Sequence, residues 1–204
     1  MRYIVVCAGE NHFKELYEKK DGDFIISVDG GYNYIREMNI IPDVHLGDND
    51  SSNCEYLVNK EIIKYNPIKD ESDLELAILY INKIYNKEEV VIYNATGNRL
   101  DHFEANIRLI LKYSDMNLYI VDNKNKVFLV NSNDDYIMIN KDNYKYISFF
   151  NYEDDTVITL EGFKYNLNNY KLKRFDNLCL SNEVISIGKL KTNKPLLCIQ
   201  SKDK

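Results

Sequence analysis

The chain has 204 residues, a formal net charge of -6, 45% hydrophobic and 28% charged residues. That is a globular composition and excludes a disordered chain. The acidic balance argues against a general nucleic-acid-binding face while leaving room for a local basic pocket, and no apolar run approaches the ~20 residues of a membrane span.

One or two domains fit this length, and either way the chain can bury a sizeable core. Residues 3–7 are a short apolar run that ends at Ala8-Gly9 and turns polar at Glu10-Asn11-His12. This predicts an opening strand rather than a signal peptide. Similar runs follow at 24–28, 44–46, 90–93 and 118–121. Runs that are apolar on both faces are the pattern of buried parallel strands. Each ends in polar or turn-forming residues: Asp29-Gly30-Gly31, Gly47-Asp48, Asn94-Ala95-Thr96-Gly97 and Asp122.

Helices are predicted between the strands. Ser72-Asp73-Leu74-Glu75 reads as a capping box, in which the Ser hydroxyl and the Glu carboxylate both satisfy free backbone donors. Behind it Leu74, Ala77, Ile78, Ile81 and Ile84 share a helical face, and Phe103, Ile107, Ile110 and Leu111 form a second amphipathic set. Strands alternating with helices predict an α/β domain with a mostly parallel, Rossmann-like sheet.

The remaining residues differ. Runs at 144–150, 156–160, 184–187 and 196–199 are β-rich, with turn-formers Asp154-Asp155, Asn168-Asn169 and Thr192-Asn193-Lys194-Pro195 between them. A small all-β sandwich is expected. The polar run Asn131-Ser132-Asn133-Asp134-Asp135 reads as the linker, giving domains 1–131 and 132–204. The four cysteines, Cys7, Cys54, Cys179 and Cys198, include no Cys-x-x-Cys pair, so they read as reduced thiols of a cytoplasmic protein rather than zinc ligands.

Ligands of open α/β sheets bind at the carboxyl ends of the strands. Here those ends, with the start of the capped helix, gather Asp29, Asp48, Asp50, Asp70, Asp73 and Asp101, with Lys69, Arg99 and His102 beside them. Clustered carboxylates repel one another unless a cation joins them, and hard oxygen ligands select Mg²⁺ or Ca²⁺. The Lys and Arg side chains suit phosphate, and Gly30-Gly31 lets a phosphate or ribose approach a helix start. Together they point to metal-assisted chemistry on a nucleotide or polyphosphate. Each element also has a plainer reading. Asp29-Gly30-Gly31 is compatible with a turn, Asp48-Asn49-Asp50 with a polar loop, Ser72 and Asp73 with capping, and His102 with a helix start. His12 and His45 read as structural or surface residues. The chain contains neither a Gly-x-x-x-x-Gly-Lys-Ser/Thr loop nor a Gly-x-Ser-x-Gly elbow.

In order, the chain reads Asp29-Gly30-Gly31, Pro42-Asp43, Gly47-Asp48-Asn49-Asp50-Ser51, Lys69-Asp70-Glu71-Ser72-Asp73-Leu74-Glu75, Gly97-Asn98-Arg99-Leu100-Asp101-His102 and Ala105-Asn106. This series resembles the thiamine pyrophosphokinase family, and Leu160-Glu161-Gly162-Phe163-Lys164-Tyr165 and Ser181-Asn182-Glu183 resemble its β domain. The resemblance covers nearly the whole chain. Asn49 and Asn98 depart from the family's Phe and Gly, and Ser72 replaces Thr with the hydroxyl kept. Two glycines expected near the family's thiamine pocket are Phe175 and Cys179.

The resemblance implies transfer of a pyrophosphoryl group from ATP to thiamine by a homodimer whose sites are shared between subunits; charge, hydropathy and cysteine usage add the expectation of a cytoplasmic protein with neither nucleic acid nor membrane as partner. It implies Asp48, Asp50 and Asp73 as Mg²⁺ ligands, with Asp70 and Ser72 completing the catalytic set. It places Asp29, Gly30, Gly31, Lys69, Arg99, Asp101 and His102 at the nucleotide, and Ser181 and Asn182 at thiamine. Two alternatives stand beside this. One is a pyrophosphokinase for a different small alcohol, motivated by the altered stretch 175–180. The other is a non-catalytic nucleotide or thiamine-phosphate binder, which would not need so many carboxylates beside phosphates.

Overall fold

The computed structural model describes residues 1–47, 61–64, 70–97 and 99–203. Asp48, Asn49, Asp50, Ser51, Cys54, Lys69 and Asn98 lie outside the described residues. The chain divides into two compact units, Met1–Asn123 and Lys124–Lys204.

The first unit carries strands β1 (Arg2–Val6), β2 (Asp23–Val28), β3 (Val44–Gly47), β4 (Glu61–Lys64), β5 (Glu89–Tyr93) and β6 (Asn117–Val121). Its helices are α1 (Phe13–Leu16), α2 (Gly31–Glu37), α3 (Asp73–Asn82) and α4 (Leu100–Lys112). The strands run parallel in the order β4-β3-β2-β1-β5-β6. β1 is the reason the apolar runs are continuous: Tyr3 to Val6 are fully buried between neighbours on both edges and layers on both faces. Ile4, Val6, Ile25 and Tyr93 pack against Phe13, Tyr17 and Ile35 of the α1 and α2 layer. Strand order reverses between β1 and β5, the place where open α/β sheets form their ligand crevice.

Helix α3 buries Leu74, Leu76, Ala77, Ile78 and Ile81, but it ends at Asn82, so Ile84 lies beyond it and is exposed. The capping box forms only in half. Ser72 Oγ accepts the Glu75 N–H at 3.2 Å, whereas the Glu75 carboxylate is turned to Lys112 and Tyr113. Helix α4 buries Ile107, Leu109 and Ile110 and carries an exposed Glu104–Arg108 pair one turn apart. Among the described residues no helix is long and apolar enough to cross a membrane.

The second unit is all β: β7 (Asn125–Val130), β8 (Asn133–Ile139), β9 (Tyr146–Asn151), β10 (Thr156–Phe163), β11 (Leu167–Leu172), β12 (Val184–Thr192) and β13 (Leu196–Ser201). β13 pairs antiparallel with β7 and β9, and a separate antiparallel sheet runs β11-β10-β12-β8. Val130, Phe149, Leu196 and Cys198 of the first group share one core with Ile158, Leu160, Phe163 and Leu190 of the second. The division at 123/124 precedes the polar run at 131–135 because β7 pairs with β13 near the far end of the chain. The end of that run opens β8 rather than forming a free linker, and Asn168-Asn169 lie inside β11 rather than in a turn. Asn169 takes a positive φ of 45° beside the irregular register between β10 and β11, which a side chain of this type tolerates.

Candidate active site

The carboxyl edge of β1, β2, β3 and β5 is built by close backbone approach. At Gly31 a Cβ would lie 2.0 Å from the Val6 carbonyl oxygen, so α2 can begin hard against the end of β1 only with glycine there. Gly9 is held as tightly, with its would-be Cβ 2.2 Å from the Asn94 carbonyl oxygen. Asp29 leaves β2 with φ of 47°, and its N–H donates to the Leu46 carbonyl at 2.8 Å. Its Oδ1 occupies the space a side chain at Gly47 would need, 2.6 Å from the Cβ position.

The Cys7 thiol reads the charge of this edge. Burial, with a smaller contribution from the carboxylates of Asp29 and Asp73, pushes it up to about 12. The thiol is therefore neutral and inert at ordinary pH. Two of the sequence-predicted acids, one leaving β2 and one in the first turn of α3, thus lie within electrostatic reach of the same buried thiol just past β1. Asp73 is half-buried, while Asp70 and Ser72 are exposed at the helix start. Ser72 is the N-cap in extended backbone.

Arg99, Asp101 and His102 lie at the start of α4. Arg99 Nη2 meets Asp101 Oδ2 at 2.6 Å, with both side chains well exposed. That contact holds the Asp101 carboxyl below its ordinary value and the guanidinium above its own. In the second unit Ser181 is exposed with φ of 55°. Asn182 is buried. Its Oδ1 accepts the N–H groups of Tyr165 and Glu183, and its Nδ2 donates to the Tyr165 carbonyl. Asp48, Asp50 and Lys69 fall outside the described residues, and among the described residues no three His, Cys, Asp or Glu side chains form a metal-holding group.

Two residues of this edge carry more than the sequence patterns indicated. Asn94 is buried at the end of β5 with φ of 58°, and its Oδ1 accepts the His12 N–H at 2.9 Å. With Gly9 N–H on the Asn94 carbonyl, this ties the loop after β1 to the loop after β5 at the crevice. Asn106 of α4 then donates to the Ala95 carbonyl at 2.7 Å. An Asn at a strand end, where left-handed backbone is tolerated, was the available signal. His45 is fully buried, with Nδ1 2.8 Å from Ser27 Oγ and its ring against Tyr32, in keeping with a structural role.

Residues 13–121 match the family described as "Thiamin pyrophosphokinase, catalytic domain", and residues 135–197 match "Thiamin pyrophosphokinase, vitamin B1 binding domain". A curated relative, the thiamine pyrophosphokinase of Bacillus subtilis (strain 168), is 33% identical over 169 residues, covering 78% of each chain. Among solved structures, a Bacillus subtilis thiamine pyrophosphokinase superposes with a TM-score of 0.88 at 28% identity, over 100% of both chains. The Geobacillus thermodenitrificans enzyme gives 0.85 at 28% over 100% and 99%. Yeast thiamin pyrophosphokinase, at 13% identity, shares the fold with a TM-score of 0.76 over 98% of this chain and 86% of that one.

Proposed function

This chain belongs to the thiamin pyrophosphokinase family, and from that premise we propose that it transfers the pyrophosphoryl group of ATP to the hydroxyl of thiamine, giving thiamine diphosphate and AMP. The observation that carries the reading is the match of residues 13–121 and 135–197 to the family's catalytic and vitamin B1 binding domains, with Asp29 set against Gly47 at the sheet edge and Asp73 opening α3. Two carboxylates at a strand-order reversal, beside a glycine-opened helix, form a site for a polyphosphate and its cation rather than for an apolar ligand.

The donor chemistry fits Mg²⁺. The groups are hard carboxylate oxygens, and the Asp29 Oδ1 fills the space beside Gly47 that a side chain would block. Asp73, with Asp48 and Asp50, would hold the ion, which when bound neutralises phosphate charge. Asp29, Gly30 and Gly31 accommodate the nucleotide at the start of α2, and Lys69, Arg99, Asp101 and His102 complete its surroundings. The thiamine hydroxyl oxygen attacks the β-phosphorus in line as the bond to the AMP oxygen breaks. The protein's part is positioning and charge. Asp73 or Asp70 accepts the hydroxyl proton.

In the same reading the strand order is Rossmann-like, and the two sheets of the second unit form the β sandwich that receives thiamine through Ser181 and Asn182. Asn182 does so by fixing the Tyr165 backbone. The Phe175 ring is a stacking surface for the cationic thiazolium. The protein is a cytoplasmic homodimer. Purified protein with ATP, Mg²⁺ and thiamine tests this reading, with thiamine diphosphate detected by mass. Asp73→Ala is expected to lose about a hundredfold or more in turnover at an unchanged thermal midpoint. Undiminished turnover in that variant refutes the assignment.

A further inference from the structure

Glu75 lies two residues beyond Asp73 in the first turn of α3. Residues at that spacing point to different sides of a helix. Asp73 is half-buried in the first turn of α3, whereas the Glu75 carboxylate reaches the far end of α4. Its Oε1 accepts from Lys112 Nζ at 2.6 Å and from the Tyr113 hydroxyl at 3.0 Å. The Glu75 side chain is only 12% exposed, and Lys112 Nζ also rests 5.6 Å from the centre of the Tyr113 ring. The Glu75 N–H is meanwhile bound to Ser72 Oγ. The first turn of α3 is thus gripped twice, by its cap and by a charged clamp 37 and 38 residues away in sequence.

We propose that Glu75 is a positioning residue for the acidic site: held by Lys112 and Tyr113, it fixes the rotation and depth of the first turn of α3 and so the placement of Asp73. This rests on the reading above that Asp73 handles the metal–nucleotide. The apolar face of α3 secures the helix against the sheet, and the two-donor contact on the Glu75 carboxylate adds a directional, charge-assisted hold on its first turn. A displacement of about an ångström at a positioned group suffices to weaken it.

The test measures the affinity of Mn²⁺ with ATP by calorimetry without thiamine, alongside KM values and thermal midpoints. Glu75→Ala and the double variant Lys112→Met, Tyr113→Phe are expected to weaken Mn²⁺–ATP binding about tenfold, with the thiamine KM unchanged. Glu75→Gln, which keeps an oxygen acceptor for both donors, stays within about threefold. The double variant leaves every residue of the proposed site in place and serves if Glu75→Ala does not fold. Wild-type affinity in either folded clamp variant overturns the proposal. So does an equal rise in the thiamine KM, which would mark a general loss of structure. A wild-type protein that binds Mn²⁺–ATP but forms no thiamine diphosphate refutes the reaction and not the clamp, since the calorimetry reads the clamp directly.

Discussion

Asp29, Asn94 and Phe175 all hold left-handed backbone, with φ of 47°, 58° and 58°. For Asp and Asn this conformation is tolerated, and it lets the chain leave β2 and β5 sharply at the crevice. Replacing Asn94 by Ala removes that tolerance and the acceptor for His12, so a loss of about 1–3 kcal/mol in denaturant unfolding is expected. Phe175 is a different case: a bulky ring, 62% exposed, on a backbone that suits glycine. Its ring lies 4.9 Å from the Arg174 guanidinium and edge-on to Tyr152. The loop is held by Asn151 Nδ2 on the Lys173 carbonyl and by Asp176 Oδ1 accepting the Leu178 N–H. Strain of this kind persists where the surroundings over-determine it, commonly at ligand contacts. Phe175→Gly is expected to keep stability within about 1 kcal/mol while raising the thiamine KM, and Phe175→Val to cost about 1–3 kcal/mol. A thiamine KM unmoved in Phe175→Gly contradicts the stacking role.

At the scale of elements, β1 and β2 are locked at their amino ends by Asp23. Arg2 donates to both its oxygens at 2.9 and 2.8 Å, and the Tyr17 hydroxyl and the Lys20 N–H donate to Oδ2. Burial alone would raise this carboxyl, but the donors prevail and hold it below its ordinary 3.8. A lowered carboxyl stabilises the fold above its unfolded pKa and loses that contribution as pH falls through the lowered value. Asp23→Asn should therefore be about 2 kcal/mol less stable near pH 7, with the difference shrinking below about pH 4. A difference that does not vary with pH contradicts the clamp.

Much of this layer was legible in the sequence. The five apolar runs of the first unit became β1, β2, β3, β5 and β6, because strands buried on both faces need unbroken apolar residues. The Ser72 cap was legible because it is local. β11 was not, since most of its residues are exposed and polar and its asparagines read as a turn. β4 and α1 are four residues each, too short for any periodicity. The Glu75 clamp depends on partners brought together only by the fold, so a local reading assigned its carboxylate to the nearby cap.

For the whole molecule, the separate antiparallel sheet leaves Tyr136 and Met138 of β8 and Ile185 and Ile187 of β12 exposed, the isoleucines on one face by alternation. The proposed dimer would use these side chains as its contact. Under the proposed dimer, Ile185→Lys with Ile187→Lys should shift sedimentation from dimer to monomer without unfolding the sheet. A wild-type monomer contradicts that assembly. In the proposed reading the carboxyl edge of the parallel sheet, with its two acids and glycine-opened helix, handles the phosphates, and the β unit binds the acceptor thiamine. The most direct measurement is AMP release by the purified wild-type chain with ATP and Mg²⁺, with and without thiamine. The account predicts AMP formed only with thiamine and in step with thiamine diphosphate. ATP binding without any thiamine-dependent AMP would contradict it.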